Sequence, residues 1–192
     1  MINIILSWIS NITIKRSRSF WIAFTLLIIT ALGMRISSSC LLTVDTPKAI
    51  VDLELAFDQV TAIAIKESWS SRQCIGKLSI SSNAKEAAII NIFMDFAFIA
   101  TYSWFFIVLI VLTQAKGSLE VDKLSMLGCY SSLAAGLLDV IENIFMLMFL
   151  IVGEINSLWF AIPATFKFVT IVLLIFFVII RLVTSLFFNK TT

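Results

Sequence analysis

The chain has 192 residues, 60% of them apolar and 14% charged, against roughly 25% charged in soluble domains; its mean hydropathy is +1.04. A net charge of +2, with no basic run beyond Lys15-Arg16-Ser17-Arg18, offers no surface for nucleic acid. The absence of His and of any CxxC, GxxxxGK[ST] or GxGxxG excludes His-ligated haem and zinc, Ser-His and Cys-His nucleophiles, thioredoxin-type dithiol chemistry and P-loop or dinucleotide binding.

The length suits one membrane domain over residues 1–192: about four spans of ~20 residues and one modest insert. Residues 2–14 place Ile2, Ile5, Trp8, Ile9 and Ile12 on one helical face, which predicts an interfacial helix. Lys15, Arg16 and Arg18 precede the apolar run Phe20–Met34. This resembles the start of a signal peptide, and is read as an uncleaved first span, about 19–42.

Residues 45–83 hold the one substantial polar insert. Thr46 followed by Pro47 predicts a helix start, and Ile50, Leu53, Phe57, Val60 and Ala64 recur at helical spacing to about Trp69. A Ser-rich loop follows. Asn83 with Glu86 is a capping-box pattern opening a second span, about 84–113. The third and fourth spans are expected over about 125–152 and 158–186. Lys15, Arg16, Arg18, Lys116, Lys123, Arg181 and Lys190 fall on one side, so both termini are expected in the cytoplasm and the insert outside. In that topology Cys40 and Cys74 share the oxidising side and can form a disulfide. Trp8, Trp69 and Trp159 occupy aromatic-belt positions.

Arg35, Asp95, Asp139, Glu142, Lys167 and Arg181 interrupt or flank the apolar spans. An ionised group in the hydrocarbon core costs several kcal/mol, so each must be paired, wetted or used. Counting at ~1.5 Å per residue puts Arg35 and Asp95 roughly 8 Å outward of the midplane, Glu142 and Lys167 about 4–5 Å outward, and Asp139 near it. Arg181 lies near the opposite end and can snorkel. Asp95 and Tyr102 share a helical stripe, as do Asp139 and Asn143, with Glu142 beside them. Arg35, Asp95, Tyr102, Asp139, Glu142, Asn143 and Lys167 are therefore expected to form one outward-facing polar site. Without His the carboxylates imply no metal site, and no cofactor is implied.

Leu53-Glu54-Leu55-Ala56, Trp69, Asp95 with Tyr102, and Gly136-Leu137-Leu138-Asp139-Val140-Ile141-Glu142-Asn143 together resemble small four-span bacterial integral-membrane proteins of unassigned function. The resemblance covers about residues 47–150. It implies an all-α, four-transmembrane-helix bundle in the bacterial inner membrane and brings no activity with it. Three functions fit. The cluster binds or moves an ion, lipid headgroup or small polar solute, with membrane lipid and a homo-oligomer as partners. Alternatively the charges are packing ion pairs in an accessory subunit of a larger membrane complex. Or Asp139 and Glu142 act as acid and base on a lipidic substrate.

Overall fold

The computed structural model describes residues 16–74, 81–113, 122–153 and 155–188, and of residues 16, 17 and 185–188 the backbone alone. The interfacial helix expected over 2–14 lies outside the described residues. Helix α1 (Arg16–Ser37) ends in a 3-10 turn (Ser38–Leu41); α2 (Ile50–Glu54) and α3 (Gln59–Ser71) form the insert; α4 (Ala84–Leu112), α5 (Lys123–Ile151) and α6 (Leu158–Phe188) complete an all-α bundle. Four helical stretches, Arg18–Leu41, Ala84–Leu112, Lys123–Ile151 and Leu158–Thr184, are long and apolar enough to cross a membrane. The chain is a multi-pass membrane protein. At 29 residues each, α4 and α5 extend about 43 Å, more than the ~30 Å hydrocarbon thickness, so they tilt or protrude.

Burial separates the roles of the four. In α4 and α5, 44% of the most apolar window is buried, against 6% in α1 and 17% in α6. The central pair carries the core; α1 packs against α4, and α6 against α5. Gly136 makes the central contact close. A Cβ there would meet the Ser103 hydroxyl at 2.7 Å.

The insert departs from the single helix expected over 47–69. Thr46 is not a helix cap. It is buried, donates to the Leu41 carbonyl at 2.6 Å and accepts from the Trp69 indole at 3.4 Å. Ala49, at φ 56°, precedes α2. The chain then breaks over 55–58 and restarts where Asp58 accepts from the Thr61 N–H and hydroxyl, both at 3.0 Å. These bonds hold the Asp58 carboxyl below its ordinary range. The break resets the helical phase: Ala62, Ile65 and Trp69 face inward, while Phe57 and Val60 are exposed. Trp69 is thus a core residue and not a belt anchor. Its indole N–H finds a partner only because Thr46 has been folded inward.

The insert lies across the end of the bundle that carries the α5–α6 turn. Gln59 brackets that turn, donating to Ile155 O at 3.2 Å and accepting from the Ser157 N–H at 2.6 Å. Lys66 donates to Phe149 O at 3.1 Å, placing a cation at the C-terminus of α5. Gly153 is adopted at the turn with φ 88°, where a side chain would be strained. Asn83 accepts from the Glu86 N–H at 2.8 Å, while Glu86 takes bonds from Ser82, so the expected capping box is half formed. Cys40 and Cys74 are joined in a disulfide, with Cα atoms 5.7 Å apart.

Two apolar layers fill the bundle. One, under the insert, includes Leu41, Leu53, Trp69, Ile92, Met146, Phe149 and Phe160. The other, toward the far end, includes Ala23, Val108, Val111, Cys129, Leu174 and Val178. Between them along α4, α5 and α6 lies a polar layer.

Candidate functional site: a buried carboxylate–lysine cluster

Helices α4, α5 and α6 supply the polar layer, and α2 adds Glu54 from the insert. On α4, Asp95 and Tyr102 lie on the buried stripe that begins at Asn91; on α5 the buried stripe carries Ser132, Gly136, Asp139, Glu142 and Asn143. Lys167 comes from α6, where it is buried among apolar neighbours. Measured from the helix midpoints, Asp95, Asp139, Glu142 and Lys167 lie roughly 3–9 Å toward the insert.

The geometry centres on Lys167. Its ammonium is 2.7 Å from Glu142 Oε2, 2.9 Å from Asp139 Oδ1 and 3.5 Å from Glu54 Oε2. It also sits 4.7 Å above the Phe168 ring centre. Asp139 uses its other oxygen to accept from the Tyr102 hydroxyl at 3.0 Å. Asp95 accepts from Asn143 Nδ2 at 2.7 Å. One turn nearer the insert, Asn91 donates to Ser37 Oγ at 2.6 Å and Met34 O at 2.9 Å, tying α1 to the same layer. The four side chains of the lysine-centred group are 0–9% exposed.

Charge does not balance. Glu54, Asp95, Asp139 and Glu142 are four buried carboxyls, and Lys167 is the one buried cation among the described residues. The Glu142 contact is an ion pair without hydrogen-bond alignment, and as a carboxylate Glu142 accepts no hydrogen bond on either oxygen. Glu142 and Glu54 instead share the Lys167 ammonium, at 2.7 and 3.5 Å. Ionised carboxylates offer only acceptors, so acids gathered around one ammonium are relieved when one of them carries a proton. Burial pushes the Glu54 carboxyl above its ordinary range, against the pull of Lys167.

Of the residues expected in the site, the structure brings together Asp95, Tyr102, Asp139, Glu142, Asn143 and Lys167. It leaves Arg35 out. Arg35 sits in the last turn of α1 with its side chain exposed, because α1 packs chiefly against α4 and turns most of its surface outward. A guanidinium at a helix end can reach the interface at little cost, whereas burial would require a partner. Glu54 takes its place with the opposite sign. Sequence reasoning missed it because a carboxylate in a polar insert reads as solvated. The available signal was its setting between Leu53 and Leu55-Ala56. At the far end, Arg181 donates to Asp122 at 2.7 Å and to the Ser125 hydroxyl at 2.8 Å, separated from the cluster by the second apolar layer.

The cluster can therefore hold protons or a small cation, and its depth, toward the insert from the helix midpoints, makes the insert end the nearer water. Comparison of the chain with protein-family models, with curated proteins and with solved structures finds no match.

Proposed function

We propose that this protein is a proton-binding module of the bacterial inner membrane, with both termini cytoplasmic and the insert on the outer side, and that its buried cluster exchanges protons with that side. The observation that carries the reading is the charge excess at Lys167: Glu54, Asp139 and Glu142, all buried, share one ammonium, and Asp95 on α4 is a fourth buried carboxyl. Excess negative charge in a low-dielectric layer has to be neutralised. Among the described residues no three such side chains converge as ligands of one metal ion, and a proton needs no cavity. The side chains around Lys167 are 0–9% exposed, which suits a proton better than a headgroup or solute. Four spans form a narrow conduit, so movement across the whole membrane would call for a homo-oligomer.

The second reading, a packing device in an accessory subunit, draws on the closure of the cluster and its near-complete pairing. Infrared spectroscopy of the purified protein separates the two. Proton binding requires a protonated carboxyl band at neutral pH that shifts in deuterated buffer and weakens in Glu142→Gln. No such band would sink the proposal. A band that never exchanges with solvent would support the packing reading instead.

A further inference from the structure

A groove of about 350 Å³ lies between α5 and α6, with Leu124, Leu127, Gly128, Leu173, Leu174 and Phe177 in its lining. Leu124, Leu127 and Leu173 are exposed, so it opens toward the membrane. Gly128 lets the two helices meet at its floor, because a Cβ there would come 2.9 Å from the Phe177 ring. Both walls run into a base at the end away from the insert. On α5, Ser131, Leu127 and Lys123 recur every four residues; on α6, Thr170, Leu174, Phe177 and Arg181 follow at spacings of 4, 3 and 4. The Arg181 guanidinium lies 6.0 Å from the Phe177 ring centre. Its bonds to Asp122 at 2.7 Å and Ser125 at 2.8 Å both use Nη2, and Nη1 has no hydrogen-bond partner among the described residues. Lys123 is exposed and enters no ion pair among them. Asp122 is the acid beside these bases, and its two oxygens already accept from the Ser125 N–H and from Arg181, both at 2.7 Å. The three described groups therefore carry one net positive charge.

Depth says what fits such a surface. Counted from the span midpoints, Leu173 lies within about 3 Å of the midplane, Arg181 roughly 15 Å and Lys123 roughly 21 Å toward the end away from the insert. The hydrocarbon half-thickness is ~15 Å, with headgroups beyond it. The groove thus occupies the depth of an acyl chain, and the two bases occupy that of its phosphate. We propose that the groove holds one anionic phospholipid of the leaflet at that end. Its phosphate rests on Arg181 Nη1 and Lys123, and one acyl chain lies against Leu127, Gly128 and Leu173. Guanidinium and ammonium groups both donate charge-assisted hydrogen bonds to phosphate oxygens, and a lipid with a cationic headgroup would not match the net charge. This site is separate from the lysine-centred cluster, and the inference does not rest on proton binding there.

The test is native mass spectrometry of the full chain in a non-ionic detergent, titrated with phosphatidylglycerol or with phosphatidylcholine of the same acyl chains. One phosphatidylglycerol should bind about fivefold more tightly than phosphatidylcholine, the worth of one base near a headgroup. Lys123→Gln alters an exposed side chain outside the bundle's own ion pairs, and should bring the two lipids level. Ser131→Phe, which fills the groove from its half-buried wall, should weaken both lipids alike. Equal binding of the two lipids by the natural chain would overturn the inference. So would a preference that survives Lys123→Gln, or affinities unchanged in Ser131→Phe. A lipid-free dimer that separates in Ser131→Phe would assign the groove to a second copy of the chain and overturn it too.

Discussion

At Lys167 a single ammonium compensates Glu54, Asp139 and Glu142, so the cation and each acid are unequal in what their loss would do. Removing one side of a buried charge pair typically costs ~3–5 kcal/mol, because the other charge stays behind uncompensated. Lys167→Met strands three carboxyls and should show a loss of that order in denaturant unfolding from detergent. Glu142→Gln removes a surplus charge and should cost much less. Equal losses in the two variants would mean that the acids are not in excess. Glu54 gives a pH test. Its folded carboxyl titrates above the ordinary 4.5, so the folded state favours the protonated form. The associated stability is full below about that pH and is lost as pH rises through the folded value. The unfolding temperature of the natural chain should therefore fall over that rise more steeply than that of Glu54→Gln. Identical slopes would contradict the burial of Glu54.

The insert is held by three kinds of tie. Its side chains enter the apolar layer, Gln59 and Lys66 bond the α5–α6 end, and the disulfide closes the segment containing both α2 and α3. Cross-linking positions 34 residues apart should contribute roughly 3–4 kcal/mol by restricting the unfolded chain. Cys129 is buried and free. Denatured without reductant, the natural chain should expose one thiol, and after reduction three. Cys40→Ala with Cys74→Ala should unfold at lower temperature while keeping the helical circular dichroism of the spans. Three thiols without reductant would rule out the bond.

Across the whole molecule, the polar layer divides two apolar ones and lies nearer the insert. Topology therefore decides which compartment the cluster can exchange with. Lys48 and Lys123 are exposed at opposite ends, and each can be replaced by Cys in a Cys129→Ala background. An impermeant maleimide added to intact cells should label the Cys at position 48 and spare that at 123. The reverse pattern would turn the protein over and make the cluster face the cytoplasm.

The all-helical class, the four spans and the polar stripes of α4 and α5 follow from local sequence, because apolar length and 3.6-residue periodicity are properties of each segment alone. Asp95 with Tyr102, and Asp139 with Glu142 and Asn143, were legible for that reason, and Lys167 by its isolation in an apolar run. Packing decided the rest. Whether α1 contributes its charge depended on how much of α1 is covered, and Arg35 proved to lie on an uncovered side. Whether the insert is one helix or two depended on competition for its side chains. Thr46 is more useful under Trp69 than as a cap, and the break at 55–58 turns Phe57 and Val60 outward while Glu54 reaches Lys167 on α6, 113 residues away in sequence. A periodic pattern states which residues share a face. Only the tertiary fold states what that face meets.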